Sequence, residues 1–87
     1  MKEITINCAE IGTMAEMHET LARELNFPEW YGRNLDALHD CLTAICEETR
    51  ITFLHFSALP FRSVGLLNVL RDGENENPKL EISLLTN

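Results

Sequence analysis

Residues 27–43 read Phe27-Pro28-Glu29-Trp30-Tyr31-Gly32-Arg33-Asn34-Leu35-Asp36-Ala37-Leu38-His39-Asp40-Cys41-Leu42-Thr43. Local rules divide this stretch into three parts. The residue before a proline is pushed out of the α region, so Phe27-Pro28 ends whatever helix precedes it. Glu29 to Arg33 holds a glycine and two large aromatics and reads as a loop. Asn34 supplies the side-chain acceptor that an N-cap needs, so a helix starts there and runs to about Glu47. At about 100° per residue, Leu35, Leu38, Leu42 and Ile45 share one side of it. Asp36, Asp40, Thr43 and Glu47 share the other. The leucines face a core and the acids face water.

The flanks extend this pattern. Upstream, Thr13-Met14-Ala15-Glu16 is a capping box, and Met14, Met17, Leu21 and Leu25 follow at helical spacing. Before it, Ile4, Ile6 and Cys8 alternate with Glu3, Thr5 and Asn7, a strand with one buried face. Downstream, Ile51 to Phe56 is nearly continuous in apolar and β-favouring residues, which suits a strand covered on both faces. Leu59 to Asp72 has helical spacing at Val64, Leu67 and Leu70, with a turn or more continuing toward Glu76 before Pro78 stops it. Leu80, Ile82 and Leu84 alternate with Glu81, Ser83 and Leu85 as a last strand. Strand, helix, helix, strand, helix, strand implies parallel pairing through helical crossovers. The expected fold is a small α/β domain over residues 1–87, with three parallel strands packed against three to four helices.

The bulk numbers set limits. A chain of 87 residues with 45% hydrophobic content supports one modest core. Its apolar runs, such as Val64 to Leu67, fall far short of the roughly 18 residues that cross a bilayer. At the N-terminus Lys2 is followed by Glu3 and no apolar stretch, so no secretory signal is read and a cytoplasmic location is expected. Cys8, Cys41 and Cys46 are odd in number and lack paired spacing, which fits reduced thiols, with Cys8 and Cys41 as small buried hydrophobes. Fourteen acids against seven bases give a net charge of -7. That balance repels nucleic acid and attracts a basic protein, although solubility alone also accounts for it.

The chemistry-bearing residues argue against catalysis. His39, Asp40 and Cys41 are adjacent, so on a helix they point in different directions and form no triad. No phosphate-binding glycine loop, metal-ligand spacing or nucleophile elbow is present. His18, His39 and Cys41 have no fixed mutual geometry, so no metal and no cofactor is expected. Asp36 and Asp40 are neighbours on the helix surface, at a cost of about 0.2–0.5 kcal/mol that the helix N-terminus partly offsets. A solvated helix face explains Asp36 better than Asp40. Just upstream, Trp30 and Tyr31 are aromatics of the kind that anchor protein interfaces. Trp30 is expected to be exposed; Tyr31 either packs on the core or meets a partner.

Residues 27–43 resemble the barstar signature: a proline, an acid, two aromatics and glycine, then Asn34-Leu35-Asp36-Ala37-Leu38, an aspartate and Cys41-Leu42-Thr43. The order of elements around them is similar too, so the resemblance covers nearly the whole chain. It implies an intracellular, non-enzymatic inhibitor of a basic, secreted, barnase-like ribonuclease, monomeric when free. Under it Asp40 stands in for an RNA phosphate and pairs with the enzyme's active-site arginines and histidine. Trp30 takes the place of a tyrosine that packs on the catalytic histidine, and Gly32 lets the backbones approach. Asn34, Leu35 and Asp36 contact a recognition loop. Asp72, and then Glu76, match acids of the last helix. Tyr31, Arg33, His39 and Thr43 complete the implied face. His39 and Arg33 depart from the family pattern, which has a large aromatic and an acid there, and Ser57 to Ser63 is shorter. An acid on the partner opposite Arg33 is the corresponding expectation. A basic partner other than a ribonuclease is the alternative reading.

Overall fold

The computed structural model describes residues 1–85, so the last two of the expected domain lie outside it. β1 (Lys2–Asn7) buries Ile4 and Ile6 and exposes Glu3 and Thr5, as its alternation requires. A single 3-10 turn, Cys8–Glu10, follows, with Asn7 Oδ1 accepting from the Ala9 N–H at 3.0 Å. α1 (Met14–Leu25) starts at Thr13, whose Oγ1 accepts from the Glu16 N–H at 3.1 Å. The reciprocal bond is displaced by one residue: the Glu16 carboxylate accepts from the Gly12 N–H at 2.9 Å. α1 closes at Asn26 in the left-handed conformation, φ 55°.

α2 spans Leu35–Thr43 and stops well short of Glu47. The cause is a buried side chain 35 residues downstream. Asn77 Nδ2 donates to the Leu42 carbonyl at 2.9 Å and to the Ile45 carbonyl at 3.0 Å. In a continuing helix the Leu42 carbonyl would take the Cys46 N–H, so Asn77 substitutes for the next turn.

β2 (Thr49–Leu54) begins and ends two residues earlier than its apolar run suggests. It is not covered on both faces either: Thr49, Ile51 and Phe53 are buried, while Arg50, Thr52 and Leu54 are partly exposed. On that open side Glu3, Arg50 and Glu81 lie in register across the sheet. Arg50 donates to Glu81 at 2.6 Å and to Glu3 at 3.2 Å. After a second 3-10 turn, Phe56–Ala58, the chain reaches α3 (Val64–Glu76). This helix starts at Val64 and not at Leu59. Leu59 and Phe61 pack on the core from the irregular chain before it. Val64 is 55% exposed, and the buried stripe is Leu66, Leu70 and Gly73. A Cβ at Gly73 would come within 3.1 Å of Leu42, so α2 and α3 approach closely there.

β3 (Leu80–Leu85) completes one parallel sheet in the order β1-β2-β3, with Ile4, Ile51 and Ile82 aligned. Among the described residues this makes three strands and three α-helices, an α/β fold. The buried sheet residues form one core with Met17, Leu21, Leu38, Leu42, Leu66 and Leu70 from the helices. Among the described residues, no helix is long and apolar enough to cross a membrane.

Candidate protein-binding face

α2 is fixed from both ends, and this positions its polar side. At the start, Asn34 Oδ1 accepts from the Ala37 N–H at 2.8 Å. Gly32 leaves room for that cap, since a Cβ there would lie 3.1 Å from Asn34 Nδ2, which itself donates to the Gly32 carbonyl at 3.3 Å. Gly32 does not need left-handed backbone. Arg33 adopts it instead, at φ 51°. On the core side Leu38 and Leu42 are fully buried, and Leu35 packs at the start of α3 beside Gly65. The opposite side is thereby turned outward: Asp36 is exposed and the Asp40 side chain is 86% exposed. Thr43 Oγ1 donates to the Asp40 carbonyl at 3.0 Å and secures the last turn.

The two loop aromatics separate. Trp30 is 80% exposed. It borders a groove of ≈ 290 Å³ with Leu25, Phe27, Asp40, Cys41 and Ile45. An indole and an exposed carboxylate therefore share one concave rim. Tyr31 is only 4% exposed and does not present its ring to a partner, so of its two readings the core one holds. Its ring packs on Phe27 with centroids 4.9 Å apart, and its hydroxyl shares a 2.6 Å hydrogen bond with His18 Nδ1. Burial pushes the Tyr31 hydroxyl up to about 12. Burial, followed by the nearby Arg33 charge, pushes the His18 imidazole below its ordinary value. The pair anchors the loop from beneath. Neither composition nor spacing singles out His18 as its partner.

Tyr31→Phe removes the hydroxyl and leaves His18 Nδ1 buried without a partner. The expected cost is about 1–3 kcal/mol, measured by urea denaturation. The alkaline limb should change as well. The folded chain holds the Tyr31 proton to about 12, whereas the unfolded chain releases it near 10. Between these values the unfolded state binds fewer protons, so wild-type stability falls as pH rises, and Tyr31→Phe removes that part of the slope.

Arg33 already has an acid. Its Nε donates to the Glu19 carboxylate on α1, and this bond holds Glu19 below the usual carboxylate range. The charge that the sequence places in the loop is thus paired within the molecule.

The acids of α3 join those of α2 through His39. His39 Nε2–H donates to Glu76, and His39 Nδ1 lies 3.9 Å from Asp40 Oδ1. The hydrogen bond to Glu76, reinforced by the charges of Glu76, Asp40 and Asp72, raises the imidazole above its ordinary value. Asp36, His39, Asp40, Asp72 and Glu76 therefore belong to one outward surface built from two helices, with Trp30 at its edge. Among the described residues, no group of three or more His, Cys, Asp or Glu is arranged to hold a metal ion.

A family model described as Barstar (barnase inhibitor) matches residues 1–79. The chain belongs to the barstar family. The three-stranded parallel sheet with helical crossovers is consistent with barstar membership. A Bacillus subtilis (strain 168) protein named "Putative ribonuclease inhibitor YrdF" is 46% identical over 43 residues, which is 49% of this chain and 47% of that relative. The chain thus aligns with about half the length of this curated relative. His39 and Arg33 each meet a carboxylate of the chain itself, Glu76 and Glu19.

Proposed function

We propose that this barstar-family chain is a non-catalytic protein inhibitor that occupies the active site of a basic, barnase-like ribonuclease. The observation that carries this reading is the juxtaposition of exposed Asp40 and exposed Trp30 on one rim, held by a helix capped at both ends. A ribonuclease site is built to bind a polyanion, so a rigid carboxylate can take the place of a phosphate there. Asp40 pairs with the enzyme's cationic groups and Trp30 packs on its catalytic imidazole. Asn34, Leu35 and Asp36 meet an adjoining loop, Gly32 keeps the approach open, and Thr43 holds the helix end. Asp72 and Glu76 extend the negative surface toward α3. Tyr31 and Arg33 support the loop from within, through His18 and Glu19. Net charge of -7 adds long-range attraction to a cationic enzyme and speeds encounter. No cofactor takes part. The chain acts as a monomer in the cytoplasm, where its thiols stay reduced.

The test is inhibition of a small panel of guanyl-preferring bacterial ribonucleases, barnase included, by the purified chain. Inhibition at a one-to-one ratio of at least one member is expected. If every member stays fully active, the ribonuclease reading is wrong and the basic partner is of another kind.

A further inference from the structure

We infer that His39 is the charge regulator of the acidic face, so that docking of guanidinium groups on Asp40 and Glu76 expels a proton from this imidazole and binding strengthens as pH rises. The inference deepens the proposed function and rests on it in one respect, that this face receives cationic side chains.

The geometry carries it. His39 lies on α2 between Asp40, its neighbour in sequence, and two acids of α3, Asp72 and Glu76. These are the charged groups that face it from the two helices. Its Nε2–H is bound to the Glu76 carboxylate, and its Nδ1 is 3.9 Å from Asp40 Oδ1. The His39 side chain is one-third exposed, so it exchanges protons with solvent without any opening of the fold. The surroundings favour the imidazolium, with the Glu76 bond first among the causes.

Protonated, His39 cancels one of the negative charges that a basic partner would meet. A partner guanidinium arriving at Asp40 or Glu76 places a second positive charge beside the imidazolium and repels it. The proton then leaves to solvent, and neutral His39 keeps its Nε2–H bond to Glu76. Binding and proton release are thereby linked, and linkage to one proton raises affinity at most about tenfold per pH unit.

The experiment uses the full chain and hexa-arginine peptide, which carries guanidinium charge and is not a ribonuclease. The His39 ring signals are followed by NMR from pH 5 to 9 and assigned by their absence in His39→Gln. The free wild type should titrate above an ordinary histidine, and Glu76→Gln should bring that midpoint down. Saturating hexa-arginine should lower the wild-type midpoint, and peptide affinity should rise several-fold from pH 6 to pH 8 in the wild type and stay flat in His39→Gln. A midpoint unmoved by Glu76→Gln overturns the inference. So does a midpoint unmoved by bound peptide, or a peptide that leaves the Asp40 and Glu76 amides unshifted at every pH. These outcomes are distinct from failure of the inhibitor reading. A chain that inhibits a ribonuclease with an unresponsive His39 keeps the function and loses the regulator. A responsive His39 in a chain that inhibits no ribonuclease keeps the regulator and points to another cationic partner.

Discussion

Asp40→Ala is expected to weaken the complex with a target ribonuclease from roughly 30-fold to a few thousandfold, measured as a rise in the inhibition constant. The figure follows from the general cost of truncating one partner of a desolvated charge pair, about 2–5 kcal/mol, a range that barstar-type complexes themselves helped to set. Much of that cost is the cationic group left unpaired on the enzyme. The fold should not register the change. The Asp40 side chain is 86% exposed, and only its backbone carbonyl takes part in holding the helix end, through Thr43. Thermal stability should therefore stay within about 0.5 kcal/mol of wild type. Asp40→Asn keeps the shape and loses the charge, so it should weaken binding in the same direction. A loss confined to Asp40→Ala, with Asp40→Asn fully active, would mean that shape rather than charge is recognised.

Leu42→Ala is the second large effect, and it acts on stability. Leu42 is fully buried on the core side of α2, and its side chain lies where α3 comes closest, at Gly73. Removing it leaves a cavity between two helices whose backbones are already near their limit of approach. The expected loss is about 2–5 kcal/mol. In a chain of this size each 1 kcal/mol moves Tm by about 4–8 °C, so calorimetry should show a drop on the order of 10–30 °C. Where the variant is still folded, its inhibition constant should stay near that of wild type, because Asp36 and Asp40 lie on the other side of the helix. The two variants thus separate the side of α2 that holds the fold from the side that meets a partner.

The helix repeat and the capping rules made that division legible before any coordinates. Period-two alternation placed β1 and β3, and the strand-helix order gave parallel pairing. What the sequence hid depends on contacts between distant residues. The length of α2 is set by Asn77, which takes the Leu42 and Ile45 carbonyls from another part of the chain. No local signal marks an asparagine for that task. The expected start of α3 lies too early because Leu59 and Phe61 are apolar residues that pack on the core from the chain before the helix. β2 looked doubly covered because Thr52 and Leu54 are apolar enough for a buried strand, yet the helices cover only one face, and Arg50 occupies the other with Glu3 and Glu81.

At the site, the exposed indole of Trp30 and the outward carboxylates of Asp36 and Asp40 were readable from the loop and the helix period. The fate of Tyr31 was not, since it turns on His18, thirteen positions away on α1. In sequence, Arg33 reads as a changed charge in the loop and His39 as a histidine in place of a large aromatic. Folding pairs the first with Glu19 and the second with Glu76, contacts between elements that no local signal marks.

The most direct test of the central claim is the kinetic mode of inhibition. With the chain titrated at several RNA concentrations, each at equilibrium, against a ribonuclease from the panel that it inhibits, occupation of the active site by the Asp40 face predicts an apparent inhibition constant that rises in proportion to the substrate. An apparent inhibition constant that does not change with substrate would place the chain away from the substrate-binding site and contradict the account.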